Sequence, residues 1–458
     1  MNVKTLSWLA GAACATLSAS VFAQSVEVRI SGASALQTSI QKAVAEICDP
    51  TKPLADRNLY RSATGTAYTC TARTTILSPA RQVVIRKRDA GGSGLGVMNL
   101  NVAANTLGFT GTTTGCVAST SDTDIDAGTP GIQVDLDPTA AELRFNAFSG
   151  CADVTLPVMY GVSDVEPTLF ASQGAVNNVT GTPLLAQVFG LAVNDKLYRK
   201  LQGVQGISES GAAFDPANAP SIEAAQFRSI AVGNYQDWTQ IDAGITAAPT
   251  GTTAIKVCRR VATSGTQATF NARLLENPCG AGALTFLTNV SDATNLNDAN
   301  AGFLGKTDAF TVVMNSGAGN VDNCMTLADN QDELAIGLLG TERVAGASPS
   351  DDPDGVADKW HFVKLDGVYP SVANTVAGKY DLYAEASWNR GTTITYTADQ
   401  ETVANFMITT MGSPDTITNA GLLGVAALPD NGFDPTTQSP VLKGGRGGNT
   451  CRPTTFLY

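Results

Sequence analysis

Histidine is almost missing from this sequence. The 458 residues include one, His361, so Ser-His-Asp catalysis and histidine-rich metal sites lack their usual parts. It lies in "DKWHFVKLDG", where apolar residues alternate, and reads as a satisfied or exposed strand residue. Positive charge is also scarce: 29 Lys and Arg stand against 41 Asp and Glu, for a net charge of −12. That field favours neither nucleic acid nor anionic lipid as a partner. Beyond the first 23 residues, no apolar run reaches the roughly 18 residues of a membrane span.

What is present fits an exported chain. Lys4, the apolar run Leu6–Phe22, and Val21 and Ala23 at the −3 and −1 positions read as a secretory signal, with the mature chain beginning at Gln24. Loss of Lys4 with that signal takes the net charge from −12 to −13. Cys14 falls inside the signal without the leucine of a lipoprotein site, so no lipid anchor is expected. The other eight cysteines, an even number in an exported chain, argue for disulfides. Spacing makes Cys48–Cys70, Cys116–Cys151 and Cys258–Cys279 the natural local pairs and leaves Cys324–Cys451, although spacing alone does not fix connectivity. None of the intervals resembles a zinc site.

Apolar residues make up 43% of the chain, enough for packed cores, and the length exceeds what one core usually serves. Two lobes are therefore expected. "VEVRI" alternates as a strand and leads through "SGAS" into a helix with Leu36, Ile40, Val44 and Ile47 on one face. "QVVIRKR" followed by "GGSGLGV", "VTLPVMYGVSDVEPTLF" with Pro167 in a first helical turn, and "IKVCRRVATSGTQATFNARLLEN" repeat that form. Four strand ends thus carry glycine or small hydroxyl residues, where open α/β sheets place ligands. The threonine-rich stretches 48–80 and 99–155 interrupt the rhythm and read as disulfide-stapled insertions. No solenoid or propeller period is present.

The strand ends point to an anion. Ser264 before a helix would leave first-turn N–H groups facing outward, and Arg260 four residues earlier could add a bidentate charged contact. Ser34 and Ser93 are further hydroxyls at glycine-flexed turns. "GGSGLG" has neither the dinucleotide spacing nor the Lys-Ser/Thr of a P-loop. Asp164 makes sense in an anion pocket if the ligand carries a proton, because an ionised carboxylate only accepts hydrogen bonds. Asp352, Asp354, Gly355 and Asp358 have calcium-loop spacing, but His361 stands where the loop's glutamate belongs, and an acidic surface turn is the stronger reading.

In order along the chain, "GASALQTSI", "GGSGLGV", "YGVSDVEP", "VFGLAVN" and "CRRVATSGTQATF" resemble signature stretches of the phosphate-binding protein of bacterial phosphate ABC transporters. "LAIGLLG" and "KLDGVYPSVANTVAGKYDLYAEASW" resemble later parts of that family more loosely. The resemblance implies a two-lobed α/β fold of the type 2 periplasmic-binding-protein class with stapled insertions in the first lobe. Lobe one would hold residues 24–190 and 366–458, and lobe two residues 191–365. It further implies phosphate contacts at Ser34, the N–H of Ala35, Ser93, Asp164, Arg260, Ser264, Gly265 and Thr266. The family's second aspartate is Ala262 here, which removes an acceptor for a ligand proton and one tether on the arginine.

The expected function is a periplasmic or secreted solute-binding protein, not an enzyme and without a cofactor. It would close on phosphate or a related oxyanion and deliver it to the membrane subunits of an ABC transporter. The competing reading is an extracellular structural or surface-interaction protein on the same fold, with binding lost or altered. A phosphoester hydrolase using Ser93 or Ser264 would lack a histidine base.

Overall fold

The computed structural model describes residues 25–103, 105–119, 132–134, 143–207, 215–288, 309–343, 359–419, 422–425 and 441–456. The signal segment and the candidate calcium loop at Asp352, Asp354 and Asp358 lie outside them.

The chain opens as its alternation and helical spacing dictate. β1 (Val26–Gly32) buries every second residue and leads to α1 (Gln37–Ile47), whose Ile40, Val44 and Ile47, with Leu36 just before it, are fully buried. Each such side chain contributes about 1.5–3 kcal/mol. β2 (Asn58–Arg61) and β3 (Gly65–Thr71) follow, then β4 (Gln82–Arg88), α2 (Gly92–Met98) and β5 (Tyr160–Ser163). β1 pairs in parallel with both β4 and β5.

The remaining elements that shape the site are β6 (Val179–Asn194), α3 (Asp195–Val204), β7 (Ile255–Arg260), α4 (Gly265–Leu274) and β8 (Thr311–Asn315). After them come α5 (Ala318–Asn330), β9 (Leu334–Gly340), β10 (Trp360–Phe362), β11 (Tyr383–Gly391) and α6 (Ala398–Met411). Among the described residues the principal sheet has 14 strands, parallel and antiparallel, in the order β8-β7-β9-β6-β11-β5-β1-β4-β3-β2 and then short edge strands. This is the mixed α/β class expected from the sequence.

β6 serves two halves of that sheet. Its residues Val179–Val188 pair with β11, and from Phe189 to Val193 it pairs with β9. One continuous strand therefore passes from one half to the other. One core lies between β1, α1 and α6; two others lie on the two faces of β7 and β9, and a small fourth gathers Leu100, Phe109 and Val158.

The stretch 48–80 is woven into the sheet. β3 runs antiparallel to β4 over seven residue pairs, and Cys48–Cys70 ties the end of α1 to it. In the stretch 99–155, Thr106–Thr110 pairs with Asp153–Pro157, Leu143–Ser149 extends the sheet beyond β2, and Cys116–Cys151 closes the loop.

Two disulfides differ from the local pairing. The bonds are Cys258–Cys324 and Cys279–Cys451, not Cys258–Cys279 and Cys324–Cys451. Strand alternation explains it. Val257 of β7 packs in the core shared with Phe270 and Leu274 of α4, whereas Cys258 points to the other face, among Val321, Cys324 and Met325 of α5. Cys279 follows α4 and so leaves on the wrong face for Cys258; it meets the C-terminal tail instead. Peptide mapping of the non-reduced protein should return Cys258–Cys324 and Cys279–Cys451. Replacing Cys279 and Cys451 together by serine should cost about 2–5 kcal/mol of unfolding free energy; recovery of a Cys258–Cys279 peptide would overturn this arrangement.

Candidate functional site

Three strand ends and two helix starts meet above the centre of the sheet. α2 lies directly on β5: a Cβ on Gly161 would fall 1.7 Å from the carbonyl oxygen of Gly96. The two halves touch where the Gly94 N–H donates to the Thr263 carbonyl at 2.7 Å, which sets the start of α2 against the start of α4. Gly265 completes the contact, since a Cβ there would stand 2.5 Å from Ser93 Oγ and 2.7 Å from Asp164 Oδ2. Only a residue without a side chain lets α4 approach this closely.

Within that junction Ser93 and Asp164 are buried and mutually bonded. Ser93 Oγ donates to Asp164 Oδ2 at 3.0 Å and accepts the Asp164 N–H at 3.1 Å. Arg260, 2% exposed, donates from Nη1 to Thr266 Oγ1 at 3.4 Å and from Nη2 to the Ser316 carbonyl at 3.0 Å. Ser264 is the N-cap of α4, accepting the Gln267 N–H at 3.4 Å, and the Gln267 side chain in turn accepts the Arg260 N–H. The capping role read from the sequence is therefore real, and it leaves the Ser264 hydroxyl proton to be donated. The N–H groups of Gly265 and Thr266 begin the helix and have no acceptor within it.

Two polar atoms in this junction have no protein partner: Asp164 Oδ1 and Arg260 Nε. A buried polar atom without a partner costs about 1–3 kcal/mol. Here one is an acceptor and the other a donor, close to a helix start. Burial pushes the Asp164 carboxyl up, opposed by Arg260, by the Ser93 bond and by Lys87. Burial pulls Arg260 down to about 10, opposed by Asp164 and Glu342, so it stays charged at neutral pH. The arrangement offers a charged donor, hydroxyl and backbone donors, and one acceptor. That set suits an oxyanion bearing a proton.

The sequence matches no family model and no curated protein. Among solved structures, the chain is similar to a putative phosphate ABC transporter substrate-binding protein with bound phosphate from Clostridium perfringens, at 13% identity and a TM-score of 0.43, covering 86% of this chain and 98% of that one. It is also similar to an ABC-type phosphate transport receptor from Vibrio cholerae, at 13% identity and a TM-score of 0.39 with the same coverage. A third, PstS from Borrelia burgdorferi, has 10% identity and a TM-score of 0.33, covering 87% of this chain and 98% of that one.

Of the residues singled out in the sequence, Ser93, Asp164, Arg260, Ser264, Gly265 and Thr266 come together. Ser34 and Ala35 are half-buried in the turn between β1 and α1, just past the point where Ala33 N–H meets the Val162 carbonyl at 2.9 Å, on the same edge of the sheet. Ala262 does not join them. It is exposed and lines a separate cavity of about 250 Å³ with Arg259 and Asn271. The Arg259 side chain lies on the other face from that of Arg260, donating to the carbonyls of Arg260, Phe286 and Leu287 and lying 4.7 Å over the Phe286 ring. His361, in β10, is buried and bonded to Asp195 Oδ1 at 3.1 Å, as a satisfied strand histidine would be.

Sequence reading passed over Lys87 and Glu342. Lys87 is fully buried, and its Nζ donates to the carbonyls of Gly32 and Arg88, each at 3.0 Å, and to Asp89 Oδ1 at 2.5 Å. Alternation held its signal: Val83, Ile85 and Lys87 face the same way in β4. Glu342 follows β9 and accepts from the Gln187 side chain of β6, while neighbouring Arg343 pairs with Asp322. No local pattern joins β6 to β9, so nothing in the sequence announces that contact.

Burial pushes Glu342 up to about 7 from 4.5, and Asp164 adds to the shift while Arg343 and Gln187 oppose it. A raised carboxyl gives stability that is complete below about pH 4.5 and lost as pH rises through about 7. Glu342→Gln should remove that loss, leaving a variant more stable than wild type by on the order of 1–3 kcal/mol at pH 8 and equal to it at pH 4.5. Urea unfolding at the two pH values measures the difference; parallel stability curves would refute the shift.

Proposed function

We propose that this protein is a periplasmic or secreted solute-binding protein that holds phosphate or a related protonated oxyanion between two lobes. The observation that carries the reading is the pair of buried, unpartnered atoms, Asp164 Oδ1 and Arg260 Nε, beside the first turn of α4. Hydrogen phosphate satisfies both: its hydroxyl donates to the carboxylate and an oxygen accepts from the guanidinium. Ser34, the Ala35 N–H, Ser93, Ser264, Gly265 and Thr266 complete the donor set in this reading. The anion would replace Asp164 as the acceptor of the Ser93 hydroxyl proton or share it.

The lobes would be residues 24–190 with 366–458 and residues 191–365. The switch of β6 from β11 to β9 between Val188 and Phe189 supports a hinge there. Delivery to the membrane subunits of an ABC transporter is the role such closure serves. Among the described residues no helix is long and apolar enough to cross a membrane. No step of covalent chemistry is involved.

Isothermal titration tests the reading. Phosphate should bind to the wild type, and Arg260→Ala should weaken it by about 2–4 kcal/mol by leaving ligand charge unpaired. Arg259→Ala should leave the affinity within about threefold while lowering stability, because Arg259 braces the 286–287 segment. Equal losses in both variants would mean the wrong arginine; absence of binding by any oxyanion to the wild type would favour a structural or surface-interaction role.

A further inference from the structure

The anion site opens into more space than an oxyanion fills. A cleft of about 420 Å³ runs between the start of α1, the β2–β3 turn and the start of α5, within the range of about 300–1,000 Å³ typical of small-molecule pockets. It adjoins the anion site at two points. Ser316, on its wall, accepts from Arg260 Nη2 at 3.0 Å, and Asp89 and Ala90 on the opposite wall lead into the turn before Ser93. Gln37, at the inner end, donates its N–H to the Ser34 carbonyl at 3.1 Å.

The lining carries amides from Gln37, Gln41 and Asn320, hydroxyls, the Arg61 guanidinium and the Asp89 carboxylate, and it has no aromatic ring. A nucleobase or another flat apolar group would find nothing to stack on. A polyhydroxylated group would find alternating donors and acceptors. Gln37 is specific on this point. Its Nε2 donates to Thr66 Oγ1 at 3.0 Å and Tyr68 Oη at 3.1 Å, which fixes the amide, and its Oε1 is buried with no partner. That oxygen needs a donor, and a ligand hydroxyl is one. Asn320 spends its Oδ1 on Ser316 Oγ and the Gly317 N–H, so its amide N–H groups are what it can offer.

We infer that the anion at Asp164 and Arg260 is one end of a larger ligand, a phosphate monoester whose hydroxyl-bearing body lies in the cleft between Gln37 and Asn320. This rests on the oxyanion reading and extends it to a substrate class. A phosphate monoester ionises twice, so as the monoanion, below its second ionisation at about pH 6, it still carries the proton that Asp164 Oδ1 accepts, while the bridging oxygen leads outward past Ser316.

Titration of the full chain with inorganic phosphate, glycerol 3-phosphate, a hexose 6-phosphate and the unphosphorylated hexose separates the possibilities. The expected result is at least tenfold tighter binding of one of the esters than of inorganic phosphate, with no measurable binding of the free hexose. Gln41→Ala and Asn320→Ala should each weaken that ester about 3- to 10-fold more than they weaken inorganic phosphate, the scale of one lost hydrogen bond; thermal melts of both variants report whether they fold. Inorganic phosphate binding as tightly as every ester, or tighter, would overturn the inference and leave the oxyanion reading intact. Ester-selective binding with equal losses for ester and phosphate in both variants would overturn the placement in this cleft. Failure of all the anions to bind would instead remove the oxyanion reading on which the inference stands.

Discussion

Asp164 and Arg260 are charges taken out of water beside each other, and much of the molecule is arranged to hold them there. Removing a carboxylate and a guanidinium from solvent costs several kcal/mol each, and their attraction offsets this only with further hydrogen bonds in place. Ser93, Thr266 and the Ser316 carbonyl supply such bonds, yet Asp164 Oδ1 and Arg260 Nε remain without partners. An arrangement optimised for stability alone would have closed that gap. The glycine at 265, which lets α4 press onto both Ser93 and Asp164, makes the opposite choice: it brings an unfilled helix start to an unfilled acceptor.

The disulfides and the long strand divide the mechanical work around this point. Cys258–Cys324 locks α5 onto β7, the strand that carries Arg260, so the guanidinium and the Ser316 carbonyl that accepts from it belong to one rigid block. Cys279–Cys451 fastens the loop after α4 to the C-terminal tail, and Glu166, two residues past Asp164, grips the same tail through the Thr450 N–H at 2.8 Å and the Thr450 hydroxyl at 2.6 Å. The tail thus joins the segment after β5 to the segment after α4. Between the proposed lobes, relative motion would be absorbed where β6 changes partner, at the return crossing near residue 366, and in this tail.

Local pattern and distant contact explain what could be read in advance. β1 with α1, β4 with α2, and β7 with α4 follow from alternation, helical spacing and glycine or hydroxyl junctions, all of which lie within about 25 residues of sequence. The same alternation puts Arg259 and Arg260 on opposite faces of β7, while the spacing to Ser264 and the family resemblance single out Arg260. Cys258 escaped because the nearest cysteine in sequence, Cys279, leaves α4 on the other side of the sheet. Glu342 escaped because its neighbours, Gln187 and Asp164, are brought to it by strand pairing across more than 150 residues. Ala262 was placed by analogy with an aspartate in a resembling family, and here the backbone turns it to the cavity of Arg259.

An acidic chain that binds an anion has to do so by short-range means. With a net charge of −12 the far field repels such a ligand, and at physiological ionic strength that field is screened within about 8 Å. On the proposed reading, attraction would therefore begin at the junction itself, where Lys87 and Arg260 are buried and the first turn of α4 presents its N–H groups. Lys87 is largely neutralised by Asp89 at 2.5 Å and by two carbonyls, so it steadies Asp164 and the end of β1 more than it draws a ligand in. Arg260, by contrast, has a buried Nε without a protein partner, and Asp164 Oδ1 beside it is a buried acceptor without one. A fully ionised oxyanion meets the carboxylate as acceptor against acceptor, whereas one that keeps a proton joins the two. On the proposed reading, selection by proton count, and not by charge alone, would follow from burying this pair with Asp164 Oδ1 and Arg260 Nε without protein partners.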